Sequence, residues 1–316
     1  RQLEAREKRV FGKQDWLHRT EAVRLGRLLL LRARHGSDVW ERLWPRPADA
    51  VLYDGADRPT RLEPRPAEVP TLGRDEDPVR EALWRPRLDD PRKPAPLPRH
   101  WPDPSFLGWL KGREVPPSEL EAVPEPGRRS QSHVGIDPEK LTAKEAILFA
   151  EDVVEPFDRE GRFAFGLEVE LPEAVALERA TLGGDRRLVE LAAFRAGTQG
   201  LRLVLVTPAR FEAGWLPDGF DAKDGAYRGI LPGIDGELVL RAACVDRPIA
   251  VSGWDLAAGA PKRTDRMVPP GSVYFLERQN GAPFDQAEAE TLWLAAIGGR
   301  TEDGFGRIVP GVWDPE

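Results

Sequence analysis

A chain of 316 residues with an apolar share of 41% is long enough for two domains of ordinary size and rich enough in apolar residues to bury a core in each. The formal net charge of −7 taken whole argues against a generic nucleic-acid binder, and no apolar run reaches the length of a membrane span. A single cysteine, Cys244, excludes an intramolecular disulfide and offers no metal cluster; it reads as a buried thiol, with the cytoplasm as the expected compartment.

The charge is unevenly placed. Residues 1–35 hold ten Lys/Arg against four Asp/Glu, so +6, leaving −13 for the rest. Arginine heavily outnumbers lysine, and its planar fork suits bidentate phosphate contacts and base stacking. GC-rich coding bias, which also enriches proline and alanine, gives the same composition. Cysteine, methionine and asparagine occur once each, a depletion also met in thermophile proteins.

In chain order, Arg1 to Thr20 reads as a charged helix touching its surroundings through Val10, Phe11, Trp16 and Leu17. Val23 to Ala33, dense in leucine, reads as a buried strand. Trp44-Pro45-Arg46-Pro47-Ala48-Asp49 breaks the chain before a short strand from Ala50 to Tyr53, and its prolines exclude regular helix. Residues 58–104, rich in proline and charge, read as extended chain draped over a surface with Leu83 and Trp84 as anchors. Asp103 is expected to cap a short helix, with Pro104 at its first position, carrying Phe106, Leu107, Trp109 and Leu110 and stopping at Gly112.

Pro124 to Pro138 is polar and basic, with Arg128, Arg129 and His133. Leu141 to Glu155 fits either a helix or the return arm of a long hairpin. Phe163 to Leu171 alternates apolar and polar residues and predicts a strand with one wet face. Leu182-Gly183-Gly184-Asp185-Arg186-Arg187 predicts a hairpin-like break. Leu201 to Val206, Glu237 to Val245, Ile249 to Trp254 and Gly271 to Leu276 read as further strands. The spacing of strands and scarcity of long helices give an α+β fold with antiparallel sheets.

From Phe284 to Trp313 the pattern predicts an amphipathic helix, a glycine-rich loop and a closing strand. Ala289, Leu292, Trp293, Ala296 and Ile297 mark one helical face, Asp285 and Glu288 make a capping-box pattern, and Gly298 stands where such a helix stops. Gly298, Gly299, Gly304 and Gly306, with Arg300 and Arg307, make a loop whose amides can approach an anionic ligand closely. A plain packing turn is the other reading.

No histidine lies at metal-ligand spacing from another or from Cys244, and neither a G-x-S-x-G nor a P-loop pattern appears. His133, beside Arg128, Arg129 and Lys144, could act as a general base, contact phosphate, stack on a base or simply be a surface histidine. The strips around Arg128, Arg186, Lys262–Arg263 and Arg300, with the glycines at 183, 184, 298 and 299, suit tracking a phosphate backbone, although each alone reads as a solvated face. Phe305 and Trp254 are aromatic candidates for base stacking, with core packing as the alternative for Trp254.

Three groups of residues then resemble one family. Ser132-His133-Val134-Gly135-Ile136-Asp137 with Thr142-Ala143-Lys144-Glu145 is the first, and Leu182-Gly183-Gly184-Asp185-Arg186-Arg187 the second. The third joins Ser252-Gly253-Trp254-Asp255-Leu256, Pro261-Lys262 and Val268-Pro269-Pro270-Gly271-Ser272-Val273-Tyr274-Phe275 to Gly304-Phe305-Gly306. Their order and wording, with Trp44 to Asp49 and Phe106-Leu107-Gly108-Trp109-Leu110, resemble the RAMP subunit that holds the 5′ handle of the guide RNA in type III-B (Cmr) CRISPR effector complexes.

The resemblance implies two ferredoxin-like (RRM-type) domains with long insertions. The first, at 1–125, is incomplete because the family's opening strand and glycine-containing helix do not precede Arg1. A projecting basic hairpin occupies 126–160, and the second domain, with the glycine-rich loop, occupies 161–316. It also implies a non-catalytic subunit without cofactor or membrane contact. Its partners would be the crRNA 5′ handle, the large polymerase-like subunit and a backbone RAMP subunit, with target RNA met indirectly. The expected RNA-binding set is Arg128, Arg129, His133, Lys144, Gly183, Gly184, Arg186, Arg187, Lys262, Arg263, Gly298, Gly299, Arg300, Gly304, Phe305 and Gly306. A related RAMP that cleaves precursor guide RNA through His133, and the equivalent subunit of another type III complex, are the alternatives.

Overall fold

The leucine run at the start of the chain forms a strand, as its density predicts. A computed structural model describes residues 24–37, 39–66, 83–86, 90–120, 125–136, 143–155, 161–170, 199–255 and 260–314. In it Arg24–Arg34 is strand β1, followed by β2 (Glu41–Pro45) and β3 (His100–Pro102). Helix α1 spans Asp103–Leu110. Strands β4 (Arg128–Ile136), β5 (Ala143–Val154) and β6 (Gly161–Glu170) come next. The first sheet has the order β6-β1-β2-β3 and is antiparallel throughout.

The second half supplies β7 (Gly200–Leu205), β8 (Phe220–Lys223), β9 (Ala226–Gly229) and β10 (Leu238–Cys244). A two-stranded arm follows, made by β11 (Ile249–Val251) and β12 (Asp265–Met267), then β13 (Val273–Arg278), helix α2 (Gln286–Leu292) and β14 (Ile308–Trp313). Six of these strands make one antiparallel sheet, ordered β8-β9-β10-β13-β7-β14.

Side-chain alternation decides what covers that sheet. Leu201, Leu203 and Leu205 of β7, Tyr274 and Leu276 of β13, and Ile308 of β14 face one core, which α2 closes with Ala289 and Leu292. Val204 and Val206, Val273 and Phe275, and Val309 and Trp313 face the other way, into a core with Trp44, Trp101, Phe106, Trp109 and Leu110. The sheet is therefore buried on both faces, by its own helix on one and by the N-terminal half of the chain on the other. On β10 the alternation breaks at a register shift between Leu240 and Ala242, and Ala242 joins the second core rather than Leu240's.

Several sequence expectations are refined. Of the two readings of Leu141 to Glu155, the described residues form the hairpin arm and not the helix: β5 (Ala143–Val154) pairs antiparallel with β4. The alternating strand forms at Gly161–Glu170, and its first two aromatic residues differ in cover. Phe163 packs with Leu30 and Leu43, whereas Phe165 is 55% exposed. Asp103 does not cap α1; Pro102 occupies the N-cap. Asp103 instead accepts hydrogen bonds from Arg42, at 2.6 Å from Nη2, and from the indole of Trp44. Gly112, at φ +80°, does end that helix region. Leu83 and Trp84 are packed as anchors, one against each core, and the Trp84 amide donates to Arg241 O at 2.7 Å.

The helix of the C-terminal stretch also stops earlier than its stripe suggests. It ends at Leu292, and Trp293 turns out at φ −64°, ψ 109°. Trp293 then packs edge-on to Trp44 at 6.3 Å, in the second core, while Ala289 and Leu292 stay in the first. Gly298 therefore lies beyond the helix. The stretch read as one strand from Ile249 to Trp254 is divided, with Trp254–Asp255 pairing separately with Ala260–Pro261. Among the described residues, no helix is long and apolar enough to cross a membrane.

Candidate nucleic-acid interface

The glycine-rich loop is a tightly bonded crossing, and each of its glycines answers to a backbone neighbour. Gly298 (φ +85°) has Arg210 O where a Cβ would stand, at 2.5 Å, and Gly306 (φ +72°) has Ile297 O at 1.9 Å. The amides of Gly299, Gly304 and Gly306 donate to Arg210 O, Thr301 O and Pro208 O. Those three amides are thus spent inside the chain. Arg300 itself holds a left-handed backbone at φ 62° and opens a single 3₁₀ turn, Thr301–Asp303. That turn packs against β1, so the loop touches the first sheet as well as the second.

Charge gathers at the loop. Arg300 donates through Nη1 to Asp265 Oδ2 at 2.9 Å and through Nε to Asp303 Oδ2 at 2.8 Å. Its guanidinium also lies 5.1 Å from the centre of the Phe305 ring. Arg210 Nε donates to the other oxygen of the same aspartate, Asp265 Oδ1, at 3.3 Å. The hydrogen bond from Arg300, with Arg210 beside it, holds the Asp265 carboxyl below the usual carboxylate range. Asp303 and then Asp265 push the Arg300 guanidinium up.

The arm at 249–267 rises from this point. Ile249, Ala250 and Val251 pair with Met267, Arg266 and Asp265. Lys262 and Arg263 are exposed farther out, with the Lys262 amide on Gly253 O at 2.8 Å and its carbonyl taken by Ser252 Oγ at 3.0 Å. Gly298, Gly299, Arg300, Gly304, Phe305 and Gly306 therefore sit at the root of the arm that bears Lys262 and Arg263. These eight predicted residues form one region.

Arg128 and Arg129 belong to a different place. They are exposed at the base of the β4–β5 hairpin, opposite Val154 and Val153, and Arg129 Nε lies 4.0 Å from Glu155 Oε1. His133 stands opposite Phe149 in backbone register, and Lys144 falls in the irregular stretch between Ala143 and Leu148. Among the described residues this hairpin is its own two-stranded sheet, with its strands paired to neither of the larger ones. The remaining predicted residues, Gly183, Gly184, Arg186 and Arg187, lie outside the described residues.

Two members of the loop region were missed by sequence reading. Arg210 follows Thr207-Pro208 in what looks like an ordinary exit from a strand, and nothing local marks it. Asp265 sits inside a basic strip and reads there as an interruption, although an acid among three cations, Lys262, Arg263 and Arg266, is itself a signal of pairing. Cys244, expected as a buried thiol, is half-buried against the second core, and desolvation pushes it up to about 12.

Residues 3–313 match the family model described as CRISPR-associated protein (Cas_Cmr3). A search of curated proteins found no match.

Proposed function

Because the chain belongs to the Cas_Cmr3 family and is thus a subunit of a CRISPR Cmr effector complex, we propose that it is the complex's non-catalytic RNA-binding subunit that anchors the 5′ handle of the crRNA. In this role it joins the large polymerase-like subunit to the first backbone subunit of a type III-B assembly. The observation that carries the reading is the rigid glycine loop, with Arg300 stacked on Phe305, at the root of an arm that bears exposed Lys262 and Arg263. Single-stranded RNA needs such a set: cations along the backbone and an aromatic face for an unstacked base. The fold supports it too. Strands β7, β10, β13 and β14 stand in the order 2-3-1-4, with α2 between the third and fourth, which is the strand order of a ferredoxin-like domain.

Because three glycine amides are bonded internally, side chains take the main part in holding phosphate, with the glycines giving close approach and rigidity. The acidic remainder of the chain suits surfaces that meet protein rather than RNA. The test is binding of labelled guide RNA by the assembled complex at several salt concentrations, with the 5′ handle intact or removed. Arg128→Ala, Lys262→Ala and Arg263→Ala should each weaken binding of the intact handle and reduce the salt slope by about 1 per lost phosphate contact. Equal affinity for both RNAs, with slopes unchanged in all three variants, would sink the proposal.

A further inference from the structure

Asp265 spreads its two oxygens between two arginines, and this arrangement is fixed by main chain on three sides. Ala209 and Val268 exchange amide–carbonyl bonds at 3.0 and 2.8 Å, and Gly299 N donates to Arg210 O at 2.9 Å. The segments carrying Arg210, Asp265 and Arg300 are thereby held in one register. The guanidinium of Arg210 lies over the α-carbon of Gly299, with Nη1 3.1 Å from where a Cβ would be. Arg210 engages the aspartate through Nε, and its side chain is 39% exposed. Asp265, at 16%, is the shielded member.

A carboxylate bridging two guanidinium groups through separate oxygens has the same donor geometry as a phosphodiester offering its two non-bridging oxygens. We infer that Arg210 and Arg300 form a two-pronged phosphodiester site for single-stranded RNA, and that Asp265 is a built-in counter-charge that spaces the prongs and competes with the phosphate for them. The inference rests on the RNA-binding reading above and adds Arg210 and Asp265 to it. It gives the aspartate a cost as well as a use. It holds the two arginines on one carboxylate before RNA arrives, and it subtracts one charge from the attraction the site can offer.

The two residues must then act with opposite sign. In the assembled complex, with a labelled single-stranded RNA carrying the 5′ handle, Asp265→Asn should tighten binding by roughly fivefold and steepen the salt slope by about 1. Arg210→Gln should weaken binding by roughly fivefold and flatten the slope by about 1, and the double variant should return the slope to that of the parent. Melting temperatures of the variants guard against a folding defect. If both single variants weaken binding, Asp265 is only a structural brace; if neither changes it, the site does not touch RNA. Either result overturns the inference. Handle-dependent binding that persists with both variants inert removes this site alone. Indifference of the parent complex to the handle removes the functional reading, while the opposed slopes can still be read on any single-stranded RNA of that length.

Discussion

Asp49 and Arg202 are both wholly buried and meet across 153 residues of sequence, with Arg202 Nη1 on Asp49 Oδ2 at 2.9 Å. The other aspartate oxygen accepts the Trp109 indole N–H at 2.9 Å, and Trp109 O receives Nη2 of both Arg202 and Arg61. Burial, with Arg202 close by, pushes the Arg61 guanidinium down to about 10. A buried charge that loses its partner costs far more than the pair contributes. Asp49→Ala should therefore lower unfolding free energy by about 3–5 kcal/mol, and Asp49→Ala combined with Arg202→Met should recover much of that loss. Urea unfolding of the three proteins checks it; a double variant as unstable as the single would show that the network matters for shape rather than for charge. Nothing in the sequence gives this pair away. Arg202 stands in the apolar run Leu201 to Val206, where a polar residue reads as the wet side of a strand. Its partner is hidden in a proline-rich turn in the other half of the chain. Shorter separations, 55 and 35 residues, still hide Asp265 from Arg210 and Arg300, and make Arg300 read as a freer cation than it is.

At the scale of elements, local chemistry was readable and tertiary competition was not. The start of α2 follows from its residues: Asp285 Oδ1 accepts the Glu288 amide at 2.8 Å, and Glu288 Oε2 accepts the Asp285 amide at 3.0 Å. Its end does not, because the apolar stripe continues to Ile297 while Trp293 leaves the helix for the second core. The turn glycines were also legible as a group, but not their purpose, since only the fold shows that carbonyls of Arg210 and Ile297 lie against them. These two kinds of signal predict different costs. Asp285→Ala removes one cap and should cost about 1 kcal/mol. Gly306→Ala must relieve both a left-handed φ and a methyl within 1.9 Å of Ile297 O, so it should cost more, about 2–3 kcal/mol. Thermal unfolding of the two variants ranks them; a Gly306→Ala protein as stable as Asp285→Ala would mean that the loop is slack and its glycines serve close approach to a ligand only.

At the scale of the molecule, three of the segments that carry the family resemblance turn out to join the two sheets. Trp44 of Trp44-Pro45-Arg46-Pro47-Ala48-Asp49 stacks on Phe106 of α1, with centroids 4.8 Å apart and planes 3° from parallel. The Ala48 amide donates to Gly271 O at 2.8 Å, and Arg46 O lies 2.3 Å from where a Cβ on Gly271 would be. Residues 44–49, 106–110 and 268–273 are thus one packed junction, and the second core runs through it from β2 to β14. Coupling of this kind predicts shared fate. Trp44→Ala should cost about 3–5 kcal/mol, the penalty of a large void at a well-packed site. The loss should appear equally in both sheets. Native-state hydrogen exchange tells the cases apart, since the amides of Leu30 and Leu43 report the first sheet and that of Leu203 the second. If the junction makes one cooperative unit, exchange at all three accelerates by a common factor in the variant. If only Leu30 and Leu43 speed up, the second sheet stands alone on its own helix-covered core, and the junction fixes the two halves without lending either its stability. The β4–β5 hairpin, whose strands pair with neither sheet among the described residues, provides the internal contrast. If that separation in pairing is also a separation in stability, its amides should exchange through local opening and not feel the loss of Trp44.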